Sequence, residues 1–153
     1  MTVQPYLFFA GTCEEAFHFY AKALGGSIVE MHRFKDMPPS PPGDDAGCGG
    51  PSPEQLAAMG EKIMHVSLSV DGQIIMGSDN PKDAGEGFKG FSISLGFPSV
   101  KRGHQVFDAL SEGATVTMPF GETFWAKGFG MLTDRFGIPW MVNAGDKPSP
   151  PSK

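Results

Sequence analysis

Within KIMHVSLSV, residues 62–70, His65 and Ser67 stand two positions apart, a spacing that in an extended chain puts an imidazole and a hydroxyl on the same face. Such an imidazole can take up a proton near neutral pH or anchor a ligand by a hydrogen bond. The plainer alternative is a histidine held in place by a neighbouring hydroxyl. Glu122, in GETFWAKGF, is its candidate acid–base partner. Turned inward among aromatic side chains, its carboxylate would lose solvation, which raises proton affinity and suits it to general-base work. At a sheet edge it would instead bond to a backbone N–H or to water. Phe124, Trp125, Phe129, Phe136 and Trp140 supply apolar surface fit either for a flat, greasy ligand or for packing a core. With Asn143 added, the ligand-binding candidates are His65, Ser67, Glu122, Phe124, Trp125 and Trp140, and His65 and Glu122 are the catalytic candidates.

Other reactive residue types lack the company that chemistry needs. Cys13 and Cys48 form no C-x-x-C and no zinc-like cluster, in keeping with a reducing compartment. Cys13 opens a helical segment, where the dipole lowers a thiol pKa, so a reactive thiol stays open there although no histidine base stands beside it. His18 and His104 sit among polar neighbours and read as solvated surface, and Glu30 with His32 is a pattern too common to define a site. GDDAGCGG is followed neither by G-K-S/T nor by a strand-to-helix turn, so no phosphate loop is implied. Asp134 and Arg135 are expected to pin the bend before Gly137.

The elements that must position these residues follow from apolar spacing. Residues 3–9 read as a strand, after which Thr12 and Glu15 make a T-x-x-E capping box for a helix over 13–24. Ala16, Phe19, Tyr20, Ala23 and Leu24 form its packed face, and Gly25 with Gly26 ends it. Strands follow over 27–34, 62–70 and 73–79, the last two joined by an Asp71-Gly72 turn. In 62–70, Met64, Val66, Leu68 and Val70 should pack under helices and leave Ile63, His65, Ser67 and Ser69 on the opposite face. The order recurs over 91–97, a helix near 99–112 and strands near 114–119, 122–133 and 138–143, with Glu122 and Phe124 alternating against Thr123 and Trp125. The fold class is therefore α+β: one domain, 1–153, of two βαβββ pseudo-repeats, about 1–80 and 88–145. A Pro/Gly-rich loop, 37–53, and a flexible tail, 146–153, fall outside the repeat, the loop reading as a lid, a partner contact or a mobile insertion.

Asp134, Phe136, Gly137 and Trp140 form a D-x-F-G-x-x-W pattern that resembles the last hairpin of the vicinal-oxygen-chelate superfamily, the glyoxalase/bleomycin-resistance/dioxygenase group. ETFWAKGFG ahead of it is similar to the PhnB-like branch, and PYLFFAGTCEEAFHFYAKALG (5–25) and MHVSLSVDGQIIMGSD (64–79) resemble the opening and the closing hairpin of the family's first module. PhnB-like proteins have a histidine at the place of His65, with no established role attached. Many members of the superfamily hold a divalent ion with inward His or Glu side chains from the first and last strand of each module. The matching positions here are Pro5, Ile75 or Met76, Gly90 and Met141, which provide none of the oxygen or imidazole ligands such an ion needs. The resemblance thus implies the fold, a cupped half-barrel of mixed sheet with helices on the outer face, but neither metal nor other cofactor, and it disfavours glyoxalase I and ring-cleaving dioxygenase reactions, which depend on the ion. The branch also carries the label 3-demethylubiquinone-9 3-methyltransferase. Methyl transfer from S-adenosylmethionine usually uses a glycine-rich turn in a doubly wound parallel sheet, and this sequence shows neither.

Composition narrows the partners. The chain has 153 residues, 40% of them apolar, and a formal net charge of -5, with no basic stripe for nucleic-acid phosphates. At this length about two-thirds of the surface of the unfolded chain can be buried, enough for a proper core. No apolar run approaches the roughly 20 residues of a membrane span, and the N-terminus lacks a basic region followed by an apolar one, so the expectation is a cytoplasmic protein with no membrane partner. The reading that best joins these points is a metal-free binding protein whose homodimer encloses an apolar, aromatic pocket for a small organic molecule. The alternatives are a metal-independent lyase or isomerase using His65 and Glu122, and a structural or regulatory protein whose contacts are made by loop 37–53.

Overall fold

The structure, a computed structural model, describes residues 1–37, 53–80 and 87–148. Its elements are β1 (Tyr6–Phe9), α1 (Cys13–Leu24), β2 (Ser27–Arg33), a 3₁₀ turn (Phe34–Asp36), α2 (Pro53–Met59), β3 (Ile63–Val70), β4 (Gln73–Asp79), β5 (Ile93–Phe97), α3 (Val100–Leu110), β6 (Thr115–Gly121), β7 (Ala126–Thr133) and β8 (Pro139–Asp146). The α+β class is as expected. Two four-stranded mixed sheets form, in the orders β1-β4-β3-β2 and β5-β8-β7-β6, and neither closes into a barrel. In each, the first strand lies parallel to the last and the other pairings are antiparallel, so the βαβββ order legible in the sequence recurs as topology. The chain forms two compact units, one built on β1–β4 and one on β5–β8, with Lys22–Gly25 counted in the second. Most of loop 37–53 lies outside the described residues. Its last residue, Pro53, opens α2, which the apolar spacing did not reveal.

In the first unit, helix α1 buries Cys13, Ala16, Phe17 and Tyr20. Phe17, not Phe19, belongs to the packed face: 13, 16, 17 and 20 fall on one stripe of a 3.6-residue helix, whereas Phe19 stands beside it and is only half-buried. Phe17 packs edge-on to Phe9 and Tyr20, with ring centroids 6.2 and 5.8 Å apart. Gly77 of β4 lets that ring sit against the sheet, since a Cβ there would lie 2.6 Å from Phe17 Cε2. Strand β3 contributes Val66 and Leu68, both fully buried, as its alternation requires. Ile63 is buried as well, against the expectation that it shares the face of His65. The register of β2 on β3 shifts between His32 and Arg33, which interrupts the alternation at the start of β3. The β3–β4 turn has positive φ at both Asp71 (47°) and Gly72 (78°), the backbone that matches the twist of a tight hairpin.

The second unit repeats the scheme with helix α3, capped by Ser99 Oγ, which accepts from Arg102 N–H at 3.3 Å. Gly103, Val106, Phe107 and Leu110 are its buried residues. One strand boundary differs from the sequence reading. The expected strand 122–133 begins only at Ala126, because residues 122–125 turn: Thr123 N–H donates to Ala126 O and Ala126 N–H to Thr123 Oγ1. Alternation therefore does not place Glu122, Phe124 and Trp125.

Candidate functional site

Register places His65 and Ser67 of β3, Glu30 and His32 of β2, Met76 of β4, and Tyr6 and Phe8 of β1 on one face of the first sheet. This is the face opposite Val66, Leu68 and the helix. Tyr6 and His65 reach toward each other across β4, the Tyr6 hydroxyl lying 3.1 Å from His65 Nδ1. The other ring nitrogen, Nε2, lies 3.1 Å from Ser67 Oγ. Glu30 brackets two imidazoles, with Oε1 2.8 Å from His32 Nε2 and Oε2 3.9 Å from His65 Nε2. The His65 side chain is 24% exposed, and Tyr6 and Phe8 remain 38% and 37% exposed, with ring centroids 5.1 Å apart. The face is thus a chain of hydrogen-bonded polar atoms bordered by open aromatic surface. Alternation alone puts His65 and Ser67 together, whereas Glu30 with His32 is too common a pattern to single out and Tyr6, whose tie to His65 spans 59 residues, carries no local signal.

The other candidates lie in the second unit and divide. Trp140 belongs to the core: it is fully buried and its Nε1–H donates to Asp134 Oδ2 at 2.8 Å, so it is not a ligand-facing residue. Asp134 also accepts from Phe136 N–H and Ile138 N–H at 2.8 and 3.0 Å, pinning the β7–β8 turn as expected. Glu122 is corrected more sharply. Its side chain is 70% exposed and paired with Lys147 Nζ, whose hydrogen bond and charge hold the carboxyl below its ordinary pKa. It is a charged surface group, not a desolvated base. Phe124 and Trp125 project from the 122–125 turn, 80% and 39% exposed, and Trp125 packs edge-on to Phe129 at 5.2 Å. Asn143 is the cross-strand partner of Phe129, and its amide donates to Asp146 at 2.6 Å.

Cys13 is no nucleophile. It is fully buried, and burial, with the charges of Asp79 and Glu14, pushes its thiol far above the usual range. The helix N-terminus that would activate it is occupied: Asp79 Oδ1 accepts from Gly11 N–H and Cys13 N–H at 2.9 and 3.0 Å.

The family model for the Glyoxalase/Bleomycin resistance protein/Dioxygenase superfamily matches residues 2–142. The chain belongs to that superfamily. Protein YjdN of Escherichia coli (strain K12) is 35% identical over 143 residues, 94% of this chain and 95% of its own. The crystal structure of protein PA1353 from Pseudomonas aeruginosa matches with 43% identity and a TM-score of 0.77, over 94% of this chain and 97% of that one. A putative 3-demethylubiquinone-9 3-methyltransferase, a PhnB protein from Bacillus cereus, shares the fold at 23% identity and a TM-score of 0.70, over 94% of this chain and 99% of that one.

Membership in this superfamily raises the divalent ion, and the donor set does not fit one. Pro5 uses its carbonyl to accept from Met76 N–H at 3.0 Å, Ile75 is buried on the helix side, Gly90 precedes β5, and Met141 offers a thioether. Hard and borderline cations need oxygen or imidazole donors at such positions. Among the described residues no group of three His, Cys, Asp or Glu side chains is placed to hold a metal ion.

Proposed function

We propose that this superfamily member is a metal-free binding protein for a small organic molecule and works as a homodimer. The observation that carries the reading is the half-buried His65, hydrogen-bonded to Tyr6 and Ser67 on an open sheet face beside the exposed rings of Tyr6 and Phe8. Binding sites of this kind combine apolar and aromatic walls with a few fixed polar atoms that set orientation. Phe124 and Trp125 are further exposed aromatics, and a two-fold partner would cover such surface with a self-complementary contact. The lyase or isomerase alternative loses its base with Glu122, which is exposed and held charged by Lys147. Nothing in the described residues favours methyl transfer, and the methyltransferase wording belongs to the Bacillus cereus relative.

Native mass spectrometry of protein purified without chelator reads metal, small molecule and subunit number together. The expected spectrum is a dimer carrying an organic adduct and no metal. One equivalent of zinc, nickel, iron or manganese per chain, lost in chelator along with the adduct, would overturn the reading.

A further inference from the structure

We infer that the Tyr6–His65–Glu30 face takes a ligand that donates hydrogen bonds, an organic amine or alcohol with a flat apolar body, in preference to a carboxylate or phosphonate. This rests on the binding reading above and adds the ligand's chemical class. Both nitrogens of His65 have partners, so one must donate and the other accept while the ring is neutral. A phenol is a stronger donor than an aliphatic hydroxyl, which favours Tyr6 O–H donating to Nδ1. Glu30, which as a carboxylate can only accept, lies 3.9 Å from Nε2 and favours the proton on that atom. The hydrogen bonds then run in one direction, from Tyr6 to Nδ1 and from Nε2–H to Ser67 Oγ.

The consequence is a face rich in acceptors. With its proton committed to His65, the Tyr6 oxygen presents lone pairs, and Glu30 presents a half-exposed carboxylate. Among the described residues that register places here, Glu30 alone carries a fixed charge. The nearby cations are turned to other partners: Arg33 to Glu14 and the Glu61 carbonyl, Lys35 to Glu61, and Lys62 to the Gly11 carbonyl. An anion would meet a carboxylate and phenol lone pairs, and His32, the other imidazole that register places here, already directs its Nε2 to Glu30 Oε1 at 2.8 Å. An ammonium would meet that carboxylate and the faces of Tyr6 and Phe8, which also attract positive charge.

Three probes with the same aromatic body separate the possibilities: naphthylmethylamine, naphthalenemethanol and naphthoate, titrated at neutral pH and physiological salt into nitrogen-15-labelled dimer. Backbone and imidazole signals of β1–β4 locate the binding. The amine and the alcohol should shift Tyr6, His65 and Ser67, with the amine tighter and naphthoate weakest. Glu30→Gln should weaken the amine about tenfold, the loss of one charge-assisted hydrogen bond, and leave the alcohol unchanged. Tyr6→Phe should weaken both and move the His65 imidazole signals away from the Nε2–H tautomer. Naphthoate binding this face as tightly as the amine, or Glu30→Gln leaving the amine unaffected, overturns the ligand class and spares the binding reading. No shift on β1–β4 from any of the three sinks the binding reading with it.

Discussion

Asp79 and Asp134 each gather donors that local structure leaves unsatisfied. Asp79, on the last residue of β4, accepts from Gly11 and Cys13 at the start of α1 and, through Oδ2, from Ile63 N–H at 2.9 Å. One buried carboxylate thus joins the ends of α1, β3 and β4. Asp79→Ala leaves three backbone N–H groups without that acceptor, and denaturant unfolding should show a loss of about 2 to 4 kcal/mol, the scale of hydrogen bonds to a buried charge. Asp79→Asn should recover part of it. At the surface the Glu122–Lys147 pair has a different signature. A carboxyl held below its ordinary pKa favours the folded state above the unfolded-chain pKa, and that contribution fades as pH falls through the folded value. Because the pair is exposed, its stability effect is small, and the test is the titration itself. The Glu122 side-chain midpoint, followed by NMR, should lie below that of an unpaired glutamate and rise toward it in Lys147→Ala.

Strand β3 is the element whose two faces separate scaffold from proposed site. Leu68 is fully buried on the helix side, so Leu68→Ala should cost about 2 to 5 kcal/mol through lost burial and the cavity left behind. His65 stands on the other face with polar partners and partial exposure, so His65→Ala should leave stability nearly intact and weaken a bound ligand by about 1 to 3 kcal/mol. Thermal melts and ligand titrations of the two variants give the comparison. Equal losses of stability would make His65 a packing residue. The neighbouring strand fits this division: β2 carries Glu30 and His32 opposite Ser67 and His65, so its polar alternation falls on the face of the proposed site.

At the scale of the molecule, the same strand order recurs in both units. Phe124, Trp125, Tyr6 and Phe8 leave apolar surface in reach of solvent, the kind of surface the proposed second copy would cover. Light scattering at micromolar concentration should give about twice the chain mass of 16.3 kDa. A single-chain mass would count against the homodimer. No helix among the described residues is long and apolar enough to cross a membrane.

The amino-acid sequence by itself determined what local physics controls. Helix α1 runs from Cys13 to Leu24 as its period and terminal glycines indicate, the Asp71-Gly72 hairpin forms where left-handed backbone is easily reached, and alternation along β3 separates Leu68 from His65. Long-range contacts decided the rest. Trp140 could be ligand surface or core until its indole N–H is seen to donate to Asp134 in the core, and Glu122 could be an inward base or an edge carboxylate until residues 122–125 turn and pair it with Lys147. Tyr6 carried no signal because its partner is 59 residues away, and Glu30 with His32 acquires meaning only when β2 lies against β3. Periodicity tells a strand which side is apolar, but which polar groups meet on the other side is set by strand order and register, and those are properties of the assembled sheet.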